Sequence, residues 1–139
     1  MSGINAFLKQ NKKNEKENVF FAASKSFVDE EGNPILWEIK ALSSKKAQQI
    51  RNECNKISKN GKSVTIDQAK WQRMLAAECT VYPNLRDAEL QDSYGVFEPA
   101  DLIIELLDDD AEFQAYCKKC AEVCGYDKSD ADLVDEAKN

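Results

Sequence analysis

The chain of 139 residues contains no histidine, and this absence excludes several kinds of active site. Without an imidazole there can be no Ser-His-Asp or Cys-His arrangement. The five glycines are scattered along the chain, so the sequence offers no Gly-rich loop that could bind a phosphate. We therefore expect a protein that is not an enzyme and that needs no cofactor.

Long apolar runs are also missing. No stretch approaches the roughly 18–20 apolar residues that a membrane span needs. The N-terminal stretch MSGINAFLKQ lacks the charged start, apolar segment and cleavage site of a secretory signal. We therefore expect no membrane association, a cytoplasmic location and reduced thiols. The five cysteines are an odd number, so they cannot all pair as disulfides within one chain.

The charges are unevenly distributed. Residues 1–97 carry 15 basic and 12 acidic side chains, a net charge of +3, whereas residues 98–139 carry 4 and 13, a net charge of −9. The two parts give the overall charge of −6. An acidic C-terminal third repels nucleic acid, and no basic stripe with interleaved aromatic residues occurs elsewhere. Nucleic-acid binding is therefore disfavoured.

Two apolar segments near the N-terminus predict a β-hairpin. The segments VFFAASKSFV (19–28) and ILWEIKAL (35–42) flank the turn-forming residues DEEGNP. In the second segment Trp37 and Ile39 alternate with Glu38, and this period of two is typical of a half-buried strand. Because a lone hairpin is marginally stable in water, its apolar side is expected to pack on helices.

Helical spacing begins after the hairpin. Ser43 or Ser44 can cap a first helix, and Thr65 with Gln68 has the spacing of a capping box before a second helix, which Pro83 ends. The residues predicted to line the apolar sides of these two helices are Ala47, Ile50, Cys54 and Ile57, followed by Trp71, Leu75, Cys79 and Tyr82.

Three further helices are indicated by their start and stop signals. Asp87 can cap a short helix that Gly95 closes in a left-handed conformation. Pro99 suits the first position of the next helix. The aspartates at 108–110 can cap the last helix, which Gly125 ends.

Together these elements predict an α+β fold, a mostly α-helical single domain with an N-terminal antiparallel β-hairpin packed on a helical bundle. The domain is expected to span residues 19–126, with the hairpin in 19–42 and the helices in 43–124. Residues 1–18 are expected to form a flexible leader, and residues 127–139 a disordered acidic tail.

The segment CKKCAEVCG (117–125) places three cysteines close together and allows two interpretations. At about 100° per residue, Phe113, Cys117, Cys120 and Cys124 fall on one side of a helix, which favours packing in the core. Structural zinc usually takes four ligands, and here Cys54 and Cys79 stand alone instead of forming a second pair. The alternative function is a small cysteine-based metal-binding or redox-sensing regulatory protein.

The most distinctive stretch is YPNLRDAELQDSYGV, residues 82–96. Read locally, it is a proline turn, a capped short helix and a glycine stop. As a string it strongly resembles a block found in the XkdN-like family of phage tail assembly chaperones. The hairpin and the leader segment AFLKQN resemble that family as well, through Phe27, Val28, Asp29, Glu30, Gly32, Pro34, Trp37, Glu38 and Ile39, and through Phe7, Leu8 and Asn11. The resemblance covers most of residues 4–126 and leaves the acidic tail outside.

This resemblance implies a non-catalytic chaperone of a long-tailed phage or prophage, with its activity in the domain of residues 19–126. Members of the family are expected to bind the tape measure protein and to help recruit tail tube subunits around it. They are expected in the host bacterial cytoplasm and not in the mature virion.

Candidate partner-binding residues lie in two segments. In the helix of residues 86–94, the buried side is expected to carry Leu90 and Tyr94, and the polar side is expected to face a partner. The leader begins with an apolar triplet at helical spacing. The candidate contact residues are Ile4, Phe7, Leu8, Arg86, Glu89, Gln91 and Asp92.

Overall fold

The alternating segment around Trp37 forms the centre of a three-stranded antiparallel sheet. In the computed structural model, which describes residues 3–13 and 16–127, β1 (Val19–Phe21) pairs with β2 (Trp37–Ile39) so that Phe21 lies opposite Trp37. The alternation holds, because Trp37 and Ile39 are buried and Glu38 is less so. The predicted hairpin and the α+β fold class are confirmed.

The bounds of the remaining elements follow chain order. They are α1 (Ser44–Glu53), β3 (Asn55–Ile57), β4 (Val64–Ile66), α2 (Gln68–Cys79), β5 (Thr80–Tyr82), α3 (Ala88–Tyr94), α4 (Pro99–Leu106) and α5 (Asp110–Cys124). The leader contains two 3₁₀ turns, Gly3–Phe7 and Lys9–Asn11. Helix α2 packs against α4 and α5, and it also contacts β5 of the sheet.

The third strand of the sheet corrects the prediction for Tyr82. Helix α2 ends at Cys79, and Thr80–Tyr82 pairs with β2 as an antiparallel edge strand, so the sheet order is β1-β2-β5. The backbone N–H of Lys40 also donates to the carbonyl of Cys79 at 2.8 Å. Tyr82 is therefore exposed on a strand instead of lining the apolar side of a helix. Pairing with β2 outweighs the local helical spacing here.

A second hairpin replaces the predicted end of the first helix. Helix α1 ends at Glu53, and β3 pairs with β4 so that Ile57 lies opposite Val64. Gly61 has a φ of 73° in the connecting turn, a conformation that glycine adopts without steric cost. All three residues of β4 are β-branched, and Ile57 of β3 is as well, which favours pairing over a longer helix. The predicted helical position of Ile57 is therefore wrong.

The helix caps are mostly those that the sequence predicts. Ser43, Asp87 and Asp109 each accept a hydrogen bond from a backbone N–H in the first turn of the helix that follows. Gly95 and Gly125 adopt left-handed conformations after α3 and α5. The exception is α2, where Asp67 accepts from the N–H of Lys70, so the predicted capping box at 65–68 is wrong.

The sheet and the helices meet at Tyr116 of α5, a fully buried residue. The ring of Trp37 packs edge-on against the ring of Tyr116, with 5.1 Å between centroids, and the ring of Phe21 lies 6.3 Å away. The hydroxyl groups of Tyr116 and Thr80 lie 2.6 Å apart. Because the single hydroxyl proton of Thr80 is donated to the carbonyl of Ala76, the tyrosine hydroxyl is the donor in this pair. Tyr116 therefore contacts all three strands.

A carboxylate links the loop after β1 to α5. Glu112 accepts hydrogen bonds from the backbone N–H of Lys25 and from the hydroxyl of Ser24, both at 2.8 Å. These two hydrogen bonds lower the pKa of Glu112, and the bond from the Lys25 N–H has the larger effect. The buried Ser24 hydroxyl is thereby satisfied, and the loop is fixed against the start of α5.

The predicted division into leader, domain and tail stays a prediction. Residues 128–139, which make up nearly all of the predicted disordered tail, lie outside the described residues. In the described part of the chain no helix has both the length and the apolar character needed to cross a bilayer.

Trp37→Ala should lower the free energy of unfolding by about 3–5 kcal/mol, because it leaves a large cavity against Tyr116. Urea unfolding followed by circular dichroism measures the change. Phe20→Ala is the matched control, since Phe20 lies in the adjacent strand with its ring exposed, and it should cost much less. Equal losses in the two variants would contradict the packing described above.

Tyr116→Phe should cost about 1–3 kcal/mol, because it removes a buried hydroxyl donor while leaving the aromatic packing unchanged. The same unfolding experiment measures this loss. In a Thr80→Val background Tyr116→Phe should lower the free energy of unfolding clearly less, since the acceptor of the hydroxyl is then absent as well. Strictly additive losses would show that the two hydroxyl groups do not interact.

Candidate functional site

The stretch of residues 82–96 folds into a turn followed by α3, and its own side chains fix its shape. Leu85 is buried, and its carbonyl accepts a hydrogen bond of 2.8 Å from the side-chain amide of Gln91. The carboxylate of Asp87 accepts from the N–H of Leu90, and Asn84 accepts from the N–H of Arg86. The turn and the helix therefore form one rigid unit.

The apolar side of α3 packs towards the first hairpin. Leu90 and Tyr94 are half-buried against the core, as predicted. They line a small cavity of about 150 Å³ together with side chains from the hairpin, the proline turn and α4. The other lining residues are Phe27, Ile35, Trp37, Tyr82, Pro83 and Leu106. The cavity is largely apolar, and the titratable side chains among these lining residues are the two tyrosines, Tyr82 and Tyr94.

The polar side of α3 shows how the predicted contact residues differ. Glu89 and Asp92 are exposed, and they are one turn apart on the same helix. The guanidinium of Arg86 forms an ion pair of 3.0 Å with Glu78 at the end of α2. Gln91 is half-buried and its amide binds the chain itself. Glu89 and Asp92 are thus the residues of α3 best placed for a partner.

The apolar triplet of the leader is exposed. Ile4 is 75% exposed and Phe7 82% exposed, while Leu8 is exposed to a smaller extent. The turn is held by hydrogen bonds within the leader, including one of 2.7 Å from the Asn11 amide to the Asn5 carbonyl. Further along, the ammonium of Lys16 donates to the carbonyl of Cys124 at the end of α5. The two sets of predicted contact residues therefore lie in different elements.

All five cysteines are buried and unpaired, which confirms the prediction that they pack in the core. The Sγ atoms of Cys79 and Cys124 are 3.7 Å apart where α2 and α5 meet. Cys54 contacts the sulfur of Met74 at 3.9 Å in a different part of the core. Among residues 3–13 and 16–127 no three histidine, cysteine or acidic side chains are grouped so that they could hold a metal ion.

The surroundings of four of the thiols, those of Cys54, Cys79, Cys117 and Cys124, disfavour the thiolate. Burial raises the pKa of Cys117 to about 12 and also raises the pKa of Cys54. The pKa of Cys79 is raised mainly by a hydrogen bond with Cys120. The pKa of Cys124 is raised mainly by a hydrogen bond with Cys79. Because the thiolate is the nucleophile and the metal ligand, these cysteines are poorly suited to either role at neutral pH.

Sequence reasoning missed two features of the surface around this site. It did not find the exposed edge strand β5, which directly precedes the proline turn, or the hairpin of β3 and β4. A short run of β-branched residues, Val64–Thr65–Ile66, was the available signal for the second hairpin. The run Thr80–Val81–Tyr82 was the corresponding signal for β5, but the helical spacing that ran through Tyr82 obscured it.

Comparison with known proteins gives consistent matches over nearly the whole chain. Residues 4–138 match the model of the family described as Phage XkdN-like tail assembly chaperone protein. In Bacillus subtilis strain 168, the uncharacterized protein YqbN is 32% identical over 129 residues, covering 90% of this chain and 86% of that protein. The phage-like element PBSX protein XkdN is 28% identical over 138 residues, covering 96% and 93% of the two chains.

One solved structure is similar in fold. The crystal structure of the protein YqbN has a TM-score of 0.75 at 24% identity, covering 91% of this chain and 99% of that one. The family match also corrects one expectation from the sequence. It extends to residue 138, so the acidic tail lies within the matched region and not outside it.

Raising the pH above about 9 should destabilise the chain through its buried thiols. An unfolded thiol has a pKa near 8.5, whereas that of folded Cys117 is about 12. The stabilisation is therefore complete below about pH 8.5 and is lost as the pH rises towards 12. The Cys117 thiol alone should lower the free energy of unfolding by about 1.4 kcal/mol per pH unit in that window.

Urea unfolding between pH 7 and pH 10.5 measures this dependence. Cys117→Ala is the control, since it removes one thiol. In this variant the free energy of unfolding should fall less steeply with pH than in the parent, by the amount that the Cys117 thiol contributes. Identical slopes in the parent and the variant would mean that the Cys117 thiol ionises as readily in the folded chain as in the unfolded one.

Proposed function

This chain belongs to the XkdN-like family of phage tail assembly chaperones, and we propose that its client is the tape measure protein of its own phage or prophage. A tape measure protein is very long, and its apolar surface stays exposed until tail tube subunits cover it. Exposed apolar surface of this kind aggregates. We propose that the chain keeps this client soluble in the host cytoplasm and helps recruit tail tube subunits, without catalysis and without entering the mature virion.

The observation that carries the proposal is the exposed apolar triplet of the leader. Phe7 is 82% exposed and lies in the same short turn as Ile4. Apolar side chains grouped on the surface are typical of sites for protein partners. A chaperone has to release its client, so a short apolar contact together with a polar one suits the role better than a large obligate interface.

The polar part of the proposed client surface is the outer side of α3, through Glu89 and Asp92. Arg86 and Gln91 complete the predicted set, although both already bind other parts of the chain. The cap, the buried Leu85 and the amide of Gln91 fix the orientation of α3. The two carboxylates are therefore presented on a rigid element, which limits the entropy lost on binding.

Co-expression with the tape measure protein tests the proposed function. With a tag on this chain, the client should stay soluble and co-purify, and without this chain it should precipitate. A tape measure protein that is equally insoluble in both cultures, with no co-purification, would refute the proposed client.

Substitutions then test the proposed surface. Phe7→Ser should reduce recovery of the client several-fold, whereas Phe97→Ser should not, and the exposure of Phe97 (83%) matches that of Phe7 (82%). Glu89→Lys with Asp92→Lys should also reduce recovery. Its control is Glu105→Lys with Asp108→Lys, which reverses one glutamate and one aspartate at the same spacing. If binding survives both test variants and a deletion of residues 1–12, the proposed client is still supported but the proposed contact surface is wrong.

A further inference from the structure

The hairpin of β3 and β4 carries an apolar surface that the described part of the chain leaves exposed. The register places Ile57 opposite Val64, with Ile66 on the same face. Ile57 is 72% exposed and Val64 62% exposed. Apolar β-branched residues on an exposed two-stranded hairpin are a liability unless something covers them.

This face continues into a groove at the junction of α1, α2 and α5. Ile66 lines the groove, which has a volume of about 330 Å³, together with Trp71 and Tyr126. The guanidinium of Arg51 lies 5.2 Å from the centre of the Trp71 ring. The other lining residues are Gln68, Leu75 and Ala121. The groove therefore offers an apolar floor with a cation at its edge.

The region around the hairpin is strongly basic in an otherwise acidic protein. Residues 45–73 contain eight basic and only two acidic side chains, whereas the whole chain has a net charge of −6. Lys56, Lys59 and Lys62 lie on the hairpin and are exposed. A segment that binds here should be acidic and should carry a few apolar side chains.

Residues 129–137, with the sequence SDADLVDEA, have this composition. They contain four acidic residues and no basic one, and Leu133 and Val134 lie between the acids. They also follow directly from the groove, since Tyr126 lines it and is three residues upstream. Leu133 is seven positions after Tyr126, and an extended chain covers about 24 Å over that distance. The segment can therefore reach the hairpin face.

We propose that residues 129–137 dock in cis on this surface, with Leu133 and Val134 on the apolar face of the hairpin and the carboxylates beside its lysines. The short connection gives the segment an effective concentration on the order of millimolar, so a weak contact suffices. The charge complementarity favours this occupant over a basic or uncharged one. The proposal concerns the chain alone and does not depend on the identity of the client.

Zero-length cross-linking of the full chain with a carbodiimide tests the proposal. This reagent joins a carboxylate to an amine only when the two are in contact. Mass spectrometry should find the segment linked to Lys56, Lys59 or Lys62 about tenfold more often than to Lys25. Lys25 is a suitable control because it is exposed and lies beside Glu112, at the opposite end of α5 from the segment.

Substitutions separate docking from nonspecific attraction of charges. Leu133→Asp with Val134→Asp should abolish the excess of cross-links, although it adds two carboxylates. Ala131→Asp with Ala137→Asp adds the same charge, keeps the large apolar residues and should retain the excess. Equal yields at all four lysines, or equal behaviour of the two variants, would overturn the proposal. So would cross-links found only between ¹⁴N- and ¹⁵N-labelled chains in a mixture, since a second copy would then be the occupant.

Discussion

The contact of Tyr116 with the three strands is the interaction on which the rest of the structure depends. Each strand of the sheet has only three residues, too few for independent stability. The tyrosine ring packs on the aromatic residues of β1 and β2, and its hydroxyl donates to Thr80 of β5. Because Tyr116 is central in α5 and fully buried, it couples the sheet directly to the helical layer. Burial is the main cause of the raised pKa of its phenol, so this donor stays protonated further into the alkaline range than an exposed tyrosine does.

The position of α3 follows from this coupling. Strand β5 leads directly into the proline turn, and the apolar side of α3 packs towards Trp37 of β2. Movement of the sheet would therefore displace Glu89 and Asp92 relative to the remainder of the surface. In contrast, the leader is held through bonds within its own turns and through Lys16 at the end of α5. The two halves of the proposed client surface are thus built differently, one on a rigid element and one on a short terminal segment.

Local signals in the sequence predicted a large part of this fold, and non-local pairing accounts for the failures. Alternation identified the buried face of β2, and single residues such as Asp87 and Gly95 marked helix ends correctly, because a cap depends on a few neighbouring residues. Tyr82 was misplaced because its strand exists only through pairing with β2. Ile57 was misplaced because its helical spacing competed with a turn and a facing strand. For the candidate site, the sequence separated the half-buried Leu90 and Tyr94 from the exposed Glu89 and Asp92. The partners of Arg86 and Gln91 depend on contacts that spacing does not show.

The structure shows where the unevenly distributed charges of the sequence lie. Part of the acidic excess of the C-terminal third has local partners, since Asp109 caps α5 and Glu112 binds the loop after β1. The basic excess of residues 45–73 lies mainly on α1 and the second hairpin, where few acids are near enough to neutralise it. Lys56 is paired only loosely with Asp67, at 3.7 Å, and both groups are accessible to solvent. The basic apolar surface and the acidic composition of residues 129–137 are therefore complementary in charge, which supports the docking in cis that we propose for that segment.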